Sequence, residues 1–189
     1  MKRHLTAEWL GGLQQQVEEH LDKATRVYQN LPEVQLLQPD PGGGWSAAQC
    51  LEHLNSYGRY YLPAVQGAID TCPTRYRHST PYFRSGYLGS YFTSLMKAEN
   101  KRKYKAMKGH VPPSDLNGAQ VVASFIDQQE HWLQLLREAE HLNLNQIKVP
   151  ISISKFVRLN LGDTFAFVKA HDERHIQQAD RVLEGIEIA

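Results

Sequence analysis

Four long stretches of this chain repeat apolar residues every three or four positions, and that period makes a bundle of α-helices the fold to expect. The first runs from Thr6 to Gln29, with Leu10, Leu13, Val17, Leu21, Ala24 and Val27 on one stripe and Gly11-Gly12 weakening its start. A loop, LPEVQLLQPDPGGG, follows. The second opens at WSAAQC, where Ser46 and Gln49 have the spacing of a capping box and Trp45 and Cys50 that of a hydrophobic staple. Its stripe is Cys50, Leu54, Tyr57, Tyr61 and Val65, ending near Ile69, and His53 borders or joins it. The third opens at Asn117-Gly118-Ala119-Gln120, again with capping-box spacing, and buries Val121, Val122, Phe125, Ile126, Trp132, Leu133 and Leu136. The fourth runs from Leu161 to Ile186 on Phe165, Val168, His171, His175, Ala179, Val182 and Ile186. The expected fold is therefore all-α. It is a four-helix bundle in one domain, 1–189, with a long crossover connection between helices 2 and 3 from Thr71 to Leu116. Within that connection, Tyr91 to Met107 is a candidate for a further short helix. Residues 144–156, LNQIKVPISISKF, read as a turn-rich link with a short extended stretch.

A chain of 189 residues suffices for one domain with a real core. Its formal charge of +1 gives no global reason to expect nucleic acid or an anionic membrane as partner. No apolar run approaches the length that spans a bilayer. The opening MKRHLTAEWLGGLQQQVEEHL turns amphipathic too early for a signal peptide. Cys50 and Cys72 have no metal-type spacing and read as ordinary reduced residues, so a cytoplasmic location is expected.

His171 and His175 stand one helical turn apart, on one face, where the pattern calls for apolar residues. A lone histidine on such a face is usually a core residue with a satisfied hydrogen bond, and this chain has nine histidines. His4, His20, His78, His110, His131 and His141 share no such arrangement and read as surface residues, His20 among Glu18, Glu19 and Asp22. If the second and fourth helices are neighbours, His53 joins His171 and His175. Three neutral nitrogens then form a facial set that leaves positions open for water or substrate, the form of a catalytic metal site. Zn, Ni and Fe(II) all suit such ligands. Each ring's far nitrogen needs an acceptor. Glu52, Asp172 and Glu173 are close in sequence, but neighbours at one residue's distance point elsewhere. Glu130 on the third helix is a candidate inward acid for proton transfer, set against a plain exposed partner of Arg137 or a lysine.

These residues also carry a resemblance. Trp45-Ser46, then His53-Leu54, then His171-x-x-x-His175 followed by Gln177 or Gln178, together resemble the pattern of the DinB/YfiT-like metalloprotein superfamily, in its DinB_2-type form. The link at Lys148-Val149-Pro150 and the stretch PPSDLNGAQVVASFIDQQEHWLQLL are similar too, so the resemblance covers nearly the whole chain. It implies a four-helix bundle with a divalent metal at His53, His171 and His175. It also implies an enzyme: either a metal-dependent hydrolase or an S-transferase acting with a low-molecular-weight thiol. The alternative is a non-catalytic bundle that binds a metal or ligand in a stress-related or structural role. A twofold dimer is the default assembly for such bundles.

The connection departs from the family's pattern. From Pro73 to Pro113 it carries Arg75, Arg77, Arg84, Lys97, Lys101, Arg102, Lys103, Lys105 and Lys108 against the single acid Glu99. A solvated loop is the plain reading. A basic rim drawing an anionic small-molecule substrate, or an anionic thiol such as bacillithiol or glutathione, is the sharper one. Tyr82, Phe83, Tyr87, Tyr91 and Phe92 either tuck this loop onto the bundle or line a pocket. The acidity of the rest of the chain argues against a nucleic-acid surface.

Overall fold

The computed structural model describes residues 3–100, 102 and 105–187, without the side chains of Lys155 and Glu187. Lys101 and Lys103 of the basic connection lie outside the described residues. Four long helices dominate: α1 (Thr6–Arg26), α3 (Ala47–Asp70), α5 (Gly118–Ala139) and α6 (Leu161–Glu187). Two shorter ones are α2 (Glu33–Leu37) and α4 (Tyr87–Met96), the second lying within the long connection but starting and ending earlier than expected. At the start of α3 the Ser46 hydroxyl accepts from the Gln49 amide while the Gln49 side chain accepts from the Ser46 amide, which completes the capping box. Asn117 accepts from the Gln120 amide at the start of α5. Among the described residues no helix is long and apolar enough to cross a membrane.

The all-α expectation needs one correction, because the described residues include two small antiparallel sheets. β1 (Arg3–Leu5) pairs with β2 (Tyr82–Arg84), with His4 opposite Phe83. The Phe83 ring is fully buried and lies against Gly162, where an added Cβ would meet it at 2.5 Å. β3 (Lys148–Ile151) and β4 (Ser154–Asn160) form a hairpin, with its register shifted between Pro150 and Ile151. Alternation of Val149, Ile151 and Leu159 toward the core explains it, a period-2 signal too short to stand out in sequence.

In the bundle α3 packs against α5 and α6, and α1 packs against the same two. The core falls into two apolar clusters. One takes Leu10–Val17 of α1, Tyr57–Ile69 of α3, Trp132–Ala139 of α5 and Leu161–Val168 of α6. The other takes Ala24 of α1, Ala47–Leu54 of α3, Val121–Phe125 of α5 and Ile176–Ala179 of α6. So α1 and α6 run one way, while α3 and α5 run the other. Between the clusters lies a layer of buried polar residues: His20, His53, Asn55, Gln129, Lys169, His171 and Asp172. Such a layer is costly unless its members are paired, and its pairings decide what the middle of the bundle is for.

Candidate metal centre

The polar layer divides into sides. On the side where α3 faces α6, one ligand nitrogen from each of His53, His171 and His175 lies within 4.8 Å of the others. His53 and His171 are each 3% exposed. Their Nε2 atoms are 3.2 Å apart. That separation is about what two neighbouring ligands subtend when each sits ~2.1 Å from one ion.

The far nitrogens show which face each ring presents. His53 Nδ1 donates to the main-chain carbonyl of His110 at 2.6 Å. His175 Nδ1 donates to Oε1 of Gln178 at 2.9 Å. Both rings are thereby held as the tautomer with a bare Nε2, the form that ligates a metal, and that of His53 faces His171. Burial keeps all three rings neutral. It lowers His53 to about 4 and His175 to about 3 from the ordinary 6.5, and His171 well below that value. Neighbouring imidazoles add to the lowering at His171. Three uncharged nitrogen donors converging in a dry layer fit a divalent cation of borderline softness.

Aromatic rings wall the cluster. Trp45 lies 4.9 Å from His53 and 6.1 Å from His175, centroid to centroid. Tyr57 lies 4.4 Å from His171 and stacks on His110 at 3.9 Å. Trp45 therefore serves the site as well as the helix start. The Cys50 thiol is buried and pushed up to about 12, so it stays protonated and inert.

The carboxylates close in sequence point away, as their spacing requires. Asp172 pairs with Lys169 at 2.6 Å inside the bundle, with Gln129 completing the group. Glu173 meets His20 Nε2 at 2.8 Å, and this bond holds its carboxyl down at about 2. Glu52 bonds Arg59. Three expectations need correction. Glu130 is exposed, because Gln129 takes the inward position on that turn of α5, so no acid from α5 reaches the histidines. His20 is buried rather than on the surface, since Glu173 of α6 partners it. His110 is half-buried against α3 and supplies an acceptor to His53. Of the two glutamines after His175, Gln178 orients the ring, while Gln177 bonds Glu173. Gln178 was readable from its i+3 spacing. His110 had no signal, because what it offers is a main-chain oxygen 57 residues from His53.

The sequence profile of the DinB superfamily matches residues 16–179, a span that includes all three histidines. The chain belongs to the DinB superfamily. No curated protein matches it. Among solved structures, this DinB-superfamily chain is similar to YfiT from Bacillus subtilis, described as "a probable metal-dependent hydrolase with an unusual four-helix bundle topology". The TM-score is 0.54 at 16% identity, over 96% of this chain and 87% of that one. At this identity the likeness speaks for the fold.

Proposed function

We propose that this DinB-superfamily protein is a metal-dependent enzyme whose divalent ion, Zn, Ni or Fe(II), is held by His53, His171 and His175. The observation that carries the reading is the convergence of three neutral imidazoles, two with their far nitrogens already bonded. When bound, such an ion supplies a Lewis acid that lowers the pKa of a water or thiol and polarises a carbonyl. The chain's own part is to hold the nitrogens neutral, fix the tautomers of His53 and His175 and exclude bulk water with Trp45 and Tyr57. Hydrolysis is our first reading, in line with the description given to YfiT. Transfer of a low-molecular-weight thiol is the second chemistry open to the same ligands. An anionic small-molecule substrate suits the basic connection. The segment from Thr71 to Leu116 serves as the bundle's crossover connection, and a cytoplasmic homodimer completes the reading.

The deep burial of His53 and His171 favours one alternative, a non-catalytic metal-binding bundle with a structural or stress-related role. The two separate in one assay. Zinc-, nickel- and iron-loaded protein is screened against ester, amide and phosphoester panels, and against thiol conjugation with bacillithiol and glutathione. His171→Ala is run beside each. Metal-dependent turnover lost in the variant supports the enzyme. Stable metal binding with no turnover in any panel supports the alternative.

A further inference from the structure

Residues 105–113, between α4 and α5, include one short 3-10 turn, Lys108–His110, whose last residue meets the turn of α3 that carries His53. The chain is tied down on both flanks. Upstream, the Arg174 guanidinium donates to the carbonyls of Asn100 at 2.7 Å and Arg102 at 2.6 Å. Downstream, Gln49 Nε2 donates to the Pro113 carbonyl at 3.2 Å. Between them His110 touches one turn of α3 in three ways. Its carbonyl accepts from His53 Nδ1 at 2.6 Å. Its Nδ1 lies 2.9 Å from the Ser56 hydroxyl. Its ring stacks on Tyr57 at 3.9 Å with 25° between planes.

The proton on Ser56 can be placed. That hydroxyl donates to the His53 carbonyl at 2.7 Å, so it meets His110 with a lone pair. His110 Nδ1 is then the donor. The ring of His110 is thus fastened to α3 by a directed hydrogen bond and a stacking contact. The carbonyl of the same residue sets the tautomer of a ligand histidine.

We propose that His110 is a positioning residue of the metal centre. Its side chain latches the connection onto Ser56 and Tyr57. The latch keeps the carbonyl where it holds His53 with Nε2 bare and turned toward His171 and His175. This rests on the three-histidine metal reading above. Loosening the ring frees the carbonyl, lets the His53 imidazole rotate or change tautomer, and weakens the site without removing any ligand.

The test compares wild type, His110→Ala and His110→Asn. Zinc affinity is read by competition with a chromogenic chelator, and the His53 tautomer by long-range nitrogen–proton NMR of the metal-free protein. His110→Ala is expected to weaken zinc binding by about 10- to 100-fold, the usual cost of losing an outer partner of a ligand. In the same variant His53 is expected to change from one Nδ1–H form to a mixture. His110→Asn, whose amide N–H can still donate to Ser56, is expected to recover most of both. Wild-type affinity and tautomer in His110→Ala would overturn the proposal, as would an Asn variant no better than Ala. Failure of wild type to take up zinc would defeat the metal reading itself. The His53 tautomer in the metal-free variants would then still decide whether His110 holds that ring.

Discussion

A histidine kept neutral by burial ties the stability of the protein to pH. His53 and His175 titrate near 6.5 when unfolded, but near 4 and 3 in the fold. Between those limits the unfolded chain binds more protons, so acid favours unfolding. The stability these residues contribute is full above pH 6.5 and is lost as pH falls toward about 4 and 3. Urea midpoints of metal-free protein should therefore fall from pH 7.5 to pH 5, and a flat or rising profile would contradict the burial. The partner of a second kind of residue, the orienting acceptor, leads to a sharper expectation. Gln178→Ala should keep the three ligands yet weaken metal affinity by about 10- to 100-fold, read by chelator competition. The candidate ligands were legible in sequence because His171 and His175 replace apolar residues on a helical stripe and His53 borders the stripe of the second helix. His20 was not. Its local neighbours Glu18, Glu19 and Asp22 pointed to a solvated face, and its actual partner, Glu173, is 153 residues away.

At the scale of elements, sequence signals were reliable where they were local. The capping box at Ser46 formed as its spacing required, and Ser46→Ala should cost about 1 kcal/mol of unfolding free energy by urea titration. Helix α3 carries Pro63 inside it, yet Tyr61, Leu62, Val65 and Ile69 continue its buried stripe to the end. Burial of that stripe outweighs the missing hydrogen bond. The close approach of α3 to α5 depends on Gly58, where an added Cβ would lie 1.7 Å from Oε1 of Gln128. That amide also bonds the Asn55 carbonyl, so Gln128 cannot move without losing a partner. Gly58→Ala should cost about 1–3 kcal/mol, the usual range for overpacking. Unchanged stability would mean that the helices part freely here. The β1–β2 sheet was hidden because each strand is only three residues long, and of the β3–β4 hairpin only a short extended stretch was legible, since β3 has four residues, too few to establish a period. In sequence the aromatic residues of the basic connection formed one group, but the structure divides them. Phe83 is buried and Phe92 packs on the core, while Tyr87 and Tyr91 remain exposed.

Across the whole molecule, a polar layer separates two apolar clusters, and its opposite sides do different work. One side holds the three histidines. The other holds Lys169 and Asp172, both almost fully buried, with the ammonium also 4.8 Å from the Trp132 ring. Burial depresses the lysine, and the adjacent carboxylate opposes that. Removing one member strands the other's charge or leaves a polar group unpaired, whereas removing both need not. The three histidines define the proposed metal centre, and one measurement tests it. Elemental mass spectrometry of protein purified without a histidine tag or added metal counts bound ions per chain, beside His53→Ala, His171→Ala and His175→Ala. About one Zn, Ni or Fe per wild-type chain is expected, as a single three-histidine site requires, with loss of the ion in each variant. A folded wild-type protein that carries no metal and takes up none when Zn or Ni is added would contradict it. The three rings would then be core residues.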